Sequence, residues 1–119
     1  MVDEFKSLAS AARKQRNAPA NRLLAALHAL GGGHGALLRH EERPWASITF
    51  SGCNHSVTFR FAGDAGVAAG EAFVATLPEH EFAIPHQLVA EATVTAARHA
   101  LRPEPSLEVE CAVLLLDED

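Results

Sequence analysis

Cysteine and long apolar runs are scarce in this sequence of 119 residues, and each scarcity excludes a class of protein. Cys53 and Cys111 are too few for a secreted disulfide scaffold and have no metal-ligand spacing, so we expect reduced thiols in a cytoplasmic protein. No apolar run approaches the roughly 18 residues that a membrane-spanning helix needs. The first residues, MVDEFKSL, contain no apolar segment of a signal peptide.

The remaining composition is that of an ordinary folded domain. Hydrophobic residues make up 48% of the chain and charged residues 21%, which is too apolar for intrinsic disorder. A chain of this length can bury a core without a metal or a disulfide. We therefore expect a single α+β domain over residues 1–119. Eight arginines against two lysines, with abundant alanine, are typical of a GC-rich bacterial genome.

Charge is distributed unevenly along the chain. Residues 1–60 contain eight Lys or Arg and four Asp or Glu, whereas residues 61–119 contain two and eleven, so the halves carry about +4 and −9. Such asymmetry indicates a nucleic-acid contact, a contact between two copies, or neutralisation between neighbouring elements. We expect residues 1–17 to be a flexible basic arm. Weak nucleic-acid binding by this arm is one alternative function, and its contacts would be Arg13, Lys14 and Arg16, together with Arg22.

The clearest strand pattern covers residues 46–61, ASITFSGCNHSVTFRF. Apolar and polar side chains alternate on both sides of residues 52–55, which is typical of two strands joined by a tight turn. A turn centred on Cys53 and Asn54 places the apolar side chains of both strands on one face. The predicted pairs are Phe50 with Val57, Ile48 with Phe59, and Ala46 with Phe61.

Two amphipathic helices are predicted to cover this face. The first spans residues 19–30, where leucines recur at helical spacing and three glycines follow as a stop signal. The second spans residues 65–77, after Asp64 as the N-cap residue. A further strand is expected over residues 36–42.

Residues 85–101 allow two interpretations. Flanking prolines and abundant alanine favour a third helix, whereas the β-branched run at 93–95 favours a strand. Residues 107–116 have a strand pattern, and a turn at 102–105 makes the apolar sides of both segments coincide. The predicted pairs are Ala96 with Cys111, Val94 with Val113, and Ala92 with Leu115. We therefore predict an antiparallel sheet of about five strands with two helices on one face, in the order α-β-β-β-α-β-β.

The order of elements over residues 19–77 resembles the double-stranded-RNA-binding domain. That family has a lysine-rich start to its second helix, which contacts phosphates. The corresponding residues here, 64–69, are DAGVAA and contain no basic side chain. Because phosphate contacts dominate nucleic-acid affinity, this departure argues against RNA binding at that helix.

Seven histidines suggest a metal site, although none has the spacing of a known ligand motif. The best local candidates are His80 and His86 on one loop, with His99 as a third. Together with Trp45 they suggest a small-ligand or metal pocket between sheet and helices as an alternative function. Catalysis is disfavoured because no nucleophile, base and orienting group occur together, and no cofactor is implied.

The last strand carries the positive indication of function. Its outward residues Ala112, Leu114 and Leu116 are apolar, as in a strand covered on both faces. Either the N-terminal arm or a second molecule would provide the second cover. We favour a second molecule, and predict a cytoplasmic protein that acts through association as a homodimer, with those three residues at the interface.

Overall fold

The computed structural model describes residues 18–118 as an antiparallel sheet of four strands with two helices. The elements are α1 (Ala18–Leu30), β1 (Ala36–Ala46), β2 (Ser51–Ala62), α2 (Gly63–Thr76), a short 3-10 helix (Leu77–Glu79), β3 (Gln87–Ala100) and β4 (Ser106–Asp117). The predicted α+β class and order of elements are confirmed, although the sheet has four strands rather than about five. The predicted arm, residues 1–17, lies outside the described residues.

The strands lie side by side in the order β1-β2-β4-β3. β4 is therefore a central strand, and both of its backbone edges are paired. β1 and β3 form the outer edges, and both contain bulges, at Leu38 in β1 and at Ala90 and Thr95 in β3. Bulges, and Pro44 in β1, hinder the addition of a further strand to an exposed edge.

The predicted turn of the first hairpin is wrong. β1 continues to Ala46, and the chain reverses at residues 47–50, where the Ser47 N–H donates to the Phe50 carbonyl oxygen at 2.7 Å. Residues 52–55, the predicted turn, lie inside β2. One long strand thus replaces the two strands predicted over residues 36–51, which explains why the sheet has one strand fewer. Phe59 consequently pairs with Leu37 instead of Ile48.

Gly52 marks a close approach of two strands rather than a turn. A Cβ at this position would collide with the carbonyl oxygen of Leu115 and would lie 2.9 Å from the Cα of Leu116. Glycine is therefore required where β2 passes β4. In the sequence alone, a glycine needed for close packing of two strands cannot be distinguished from a glycine in a turn.

Residues 85–101 contain strand β3, which confirms the prediction of a strand rather than a third helix. The register with β4 differs from the predicted one. Ala96 faces Glu110, one residue from its predicted partner, and Val94 faces Cys111, two residues from its predicted partner. The additional residue is the bulge at Thr95, which moves Ala96 to the other face of the sheet and leaves Val94 on the apolar one.

The core lies between both helices and one face of the sheet, which we call the covered face; the opposite one is the open face. Alternate residues of β2 and β4 point into this core and meet Leu23 and Leu27 of α1. The rings of Phe59 and Phe61 in β2 and Phe73 in α2 have centroids 5.8 to 6.3 Å apart. The predicted placement of both helices on one face is therefore confirmed.

Helix α2 approaches the sheet closely because its inner face carries glycine. A Cβ at Gly70 would lie 2.8 Å from Cγ of Phe61 and 2.9 Å from Cδ2 of Leu107, both buried in the core. One turn earlier, a Cβ at Gly66 would lie 3.2 Å from the backbone of Phe61. The two glycines therefore set the distance between helix and sheet.

Gly70→Ala is expected to lower the free energy of unfolding by about 1–3 kcal/mol, because the added methyl group overpacks the core. Helix propensity alone predicts the opposite sign, a gain of about 1 kcal/mol. Urea denaturation measures the difference. Ala68→Gly, at an exposed position of the same helix, serves as the propensity control. A more stable Gly70→Ala variant would contradict the close packing.

The two cysteines differ in environment. Cys111 is fully buried in the core, where burial, with a smaller contribution from the Glu110 carboxylate, raises the pKa of its thiol to about 12. Cys53 is half-buried near the end of the sheet. Burial and the nearby Glu42 carboxylate also raise the pKa of Cys53. Neither thiol is therefore an activated nucleophile.

In the native protein, an alkylating reagent at pH 8 is expected to modify Cys53 slowly and Cys111 hardly at all. A pKa raised from 9.0 to about 12 lowers the thiolate fraction of Cys111 roughly a thousandfold, before any steric protection. Intact-mass analysis counts the modified thiols, with Cys53→Ser and Cys111→Ser as controls. Rapid modification of two thiols before unfolding would show that β4 is not buried as described.

Candidate functional site

One end of the open face is apolar. Trp45, Gly52, Leu116 and Leu88 occupy one row across the four strands, and Leu114 lies in the next row on the same face. We call Trp45, Leu88, Leu114 and Leu116 the apolar end. Leu116 is only 7% exposed, although both helices pack on the covered face.

The turn between β1 and β2 extends this apolar surface beyond the sheet. Ile48 is fully exposed, and Phe50 is 48% exposed. Both residues lie in the turn that joins the end of β1 to the start of β2. The turn itself is held by Ser47, whose Oγ accepts a hydrogen bond from the Phe50 N–H at 3.0 Å. Two apolar side chains therefore project from an ordered turn instead of joining the core, where sequence analysis had placed them.

The predicted interface residues lie together on the open face. Ala112 and Leu114 are half-buried, and they occupy successive open-face positions of β4 with Leu116. β4 is nevertheless a central strand, so its backbone is not available for pairing with another molecule. A contact through this strand can use its side chains alone.

The remainder of the open face is charged and electrically balanced. The register assigns four arginines and four glutamates to this face: Arg39, Arg43, Arg60 and Arg98, and Glu41, Glu91, Glu108 and Glu110. Two exposed ion pairs join members of the set, Arg39 with Glu41 at 3.7 Å and Arg98 with Glu108 at 3.9 Å. The face therefore offers no basic surface of the kind that binds nucleic acid.

A second cluster lies at the covered face of the outer hairpin. His40 Nε2 and His55 Nδ1 are 3.0 Å apart, and Oε1 of Glu42 is 3.8 Å from each of them. His55 is buried, His40 is half-buried and Glu42 is exposed. Burial lowers the pKa of His55 below its ordinary value, although the Glu42 carboxylate opposes part of this shift. The buried imidazole is therefore neutral at neutral pH.

The histidines that sequence analysis selected do not form a ligand set. The ring of His80 packs edge-on against that of Phe82, with the ring centroids 4.5 Å apart. Nε2 of His99 lies 3.9 Å from Oε1 of Glu71, and both side chains are exposed. His86 is exposed and has a positive φ of 64°. Within residues 18–118, the cluster of His40, Glu42 and His55 is the group of three metal-binding side chains with closely spaced ligand atoms.

Sequence analysis missed this cluster because the first hairpin was predicted with the wrong turn. His40 and Glu42 are two residues apart, which places them on one face of a strand. Their neighbour across the sheet depends on the register, and His55 was predicted to lie in the turn. The register now seen pairs Glu42 with His55 directly. An alternating His-x-Glu on one strand and a histidine on the next is the signal that could have found it.

Neither helix within residues 18–118 has the length and apolar character that a bilayer crossing requires. No protein-family model matches the chain, and no curated protein matches its sequence. Among solved structures, a chain from the "Virion of native gene transfer agent (GTA) particle" has a TM-score of 0.54 and 12% sequence identity. The match covers 82% of this chain and 91% of that chain. At this identity the likeness shows a shared α+β fold alone.

Proposed function

We propose that this chain is a structural subunit that associates with a second copy of itself through the open face of its sheet. The observation that carries the proposal is the group of apolar side chains at one end of the sheet, namely the apolar end and the exposed turn residues Ile48 and Phe50. A cytoplasmic location and a bacterial origin, both expected from the sequence, belong to the same proposal.

The exposure of this surface supports association. Leu88 is 47% exposed, and Phe50 and Ile48 are at least as exposed. Single apolar side chains on a surface need no explanation, but a contiguous group with a polar border is typical of a protein interface. Arg43, Asn54 and Glu91 provide this border, in the row that contains Leu114.

The edges of the sheet support a contact between faces rather than between strands. Addition of a strand needs a long, regular and unpaired edge. β1 contains Pro44 and a bulge at Leu38, and β3 contains bulges at Ala90 and Thr95. Because each outer edge is interrupted, packing of side chains is the more favourable way to join two sheets.

The charge pattern favours a second copy as the partner. In a twofold-symmetric contact the same surface lies on both sides, so it has to be complementary to itself. Four arginines and four glutamates on one face meet this condition, because arginines of one copy can approach glutamates of the other. A strongly acidic or basic partner gains nothing from a balanced face.

The similar solved chain is consistent with a structural role. That chain belongs to a virion, which is a particle assembled from protein subunits. A shared fold does not establish a shared function. The likeness supports assembly as a use of this fold, whereas the apolar end supports assembly by this chain.

Leu88→Glu together with Leu114→Glu is expected to convert the homodimer into a folded monomer. Each substitution places a charge in the apolar contact, and together they should weaken the dimer at least about 100-fold. Native mass spectrometry and light scattering measure the mass over a range of concentrations. Leu114 is a better position than Leu116, since the latter is 7% exposed and a charge there would disturb the fold.

Leu101→Glu is the matched control, because Leu101 is 80% exposed and lies in the turn between β3 and β4 at the other end of the sheet. It should leave the dimer intact. A monomeric wild-type protein, or a double variant that is folded and still dimeric, would contradict the proposed surface. Loss of the dimer on removal of residues 1–17 alone would place the contact on the N-terminal segment instead.

A further inference from the structure

The side chains of His40, Glu42 and His55 converge on the covered face where β1 meets β2. Glu42 and His55 are direct partners across the two strands, and His40 lies in the adjacent row of the same face. Their ligand atoms all lie within 4.8 Å of one another. Two imidazoles and a carboxylate are ligands that divalent transition metals prefer.

We propose that His40 Nε2, His55 Nδ1 and a carboxylate oxygen of Glu42 bind a divalent transition-metal ion of the zinc class. The inference is independent of the association proposed above, because the cluster lies on the covered face and the apolar end on the open one. The ion would join outer strand β1 to its neighbour β2.

The distances between ligand atoms are close to those around a bound ion. Zn–N bonds of about 2.0–2.1 Å at a tetrahedral angle place two ligand atoms about 3.3 Å apart. The two imidazole nitrogens are 3.0 Å apart and the carboxylate oxygen is 3.8 Å from each. Because the two nitrogens face each other, the His40 ring has to turn as well as move before both nitrogens are directed at one ion. Glu42 is exposed and His40 is half-buried on an outer strand, so both can adjust to the fixed, buried His55.

The arrangement of the two rings indicates where the ion would lie. The rings of His40 and His55 are nearly parallel, at 6°, with centroids 5.2 Å apart. Since the facing nitrogens are 3.0 Å apart, the rings meet edge to edge and share one proton between them. A metal ion would replace this proton, which moves to the outer nitrogen of the same ring. Both imidazoles then ligate in the neutral form.

The fourth ligand position is open to solvent beside α1. A depression of about 360 Å³ is lined by Ala20, Asn21, His40 and Glu42, which is room for a bound water. Cys53 lines a neighbouring depression with Glu42 and His55. The proposed set has three protein ligands, which leaves the fourth position for water.

Titration calorimetry with ZnCl2 on the full chain tests the proposal. The wild-type protein should bind one equivalent, and the bound ion should raise the unfolding midpoint because it binds the folded chain alone. His40→Ala and Glu42→Gln should each weaken binding at least about 100-fold, since each removes one of three ligands. Circular dichroism confirms that both variants are folded, which is expected because neither side chain belongs to the core.

The matched control is the double variant His99→Ala and Glu71→Gln, which removes an exposed His–Glu pair without a second imidazole. It should bind the ion as the wild type does. Absence of one-equivalent binding, or equal binding by His40→Ala, would overturn the site. A thiolate charge-transfer band in the Co2+-loaded protein, lost in Cys53→Ser, would show that Cys53 is a ligand and that the three-residue set is wrong.

Discussion

The packing of α2 against the centre of the sheet is the constraint on which the rest of the structure depends. Gly66 and Gly70 allow the helix to lie almost on the backbone and side chain of Phe61, and Phe73 fills the space beside it. This contact commits one face of β2 and β4 to the core. The residues that alternate with these core positions therefore point to the open face. Their side chains lie either in contact with water or in contact with another molecule.

Much of the architecture could be predicted from the sequence, because it depends on periodicity and on strong stop signals. The leucine repeat before three glycines predicts α1, and the alternation over residues 107–116 predicts β4. The turn of the first hairpin could not be located, since Gly52 looks like a turn residue although the passage of β4 is what requires it. Register errors propagate, so the neighbours of His55 were missed while the outward side of β4 was assigned to the right residues.

The two proposed sites use the two faces of the sheet for different purposes. The apolar end is formed by side chains that no described helix covers, and we propose that a second copy of the chain covers it. The histidine cluster lies where the helices leave the covered face incompletely shielded, beside the first turn of α1. Gly52 contributes to the first of these arrangements, because its lack of a side chain brings β2 against β4 and leaves Trp45 and Leu116 without a side chain between them.

The position of β4 also affects how the chain can fold during synthesis. β4 is made after all the other described strands, yet it separates β2 from β3 in the finished sheet. Until residues 106–117 are available, β3 has no partner and β2 is paired along one side. Contacts between segments so distant in sequence form slowly, because a long loop has to close first. The leucines of the open face therefore enter the sheet in its last step, so a partial chain cannot present the complete apolar surface.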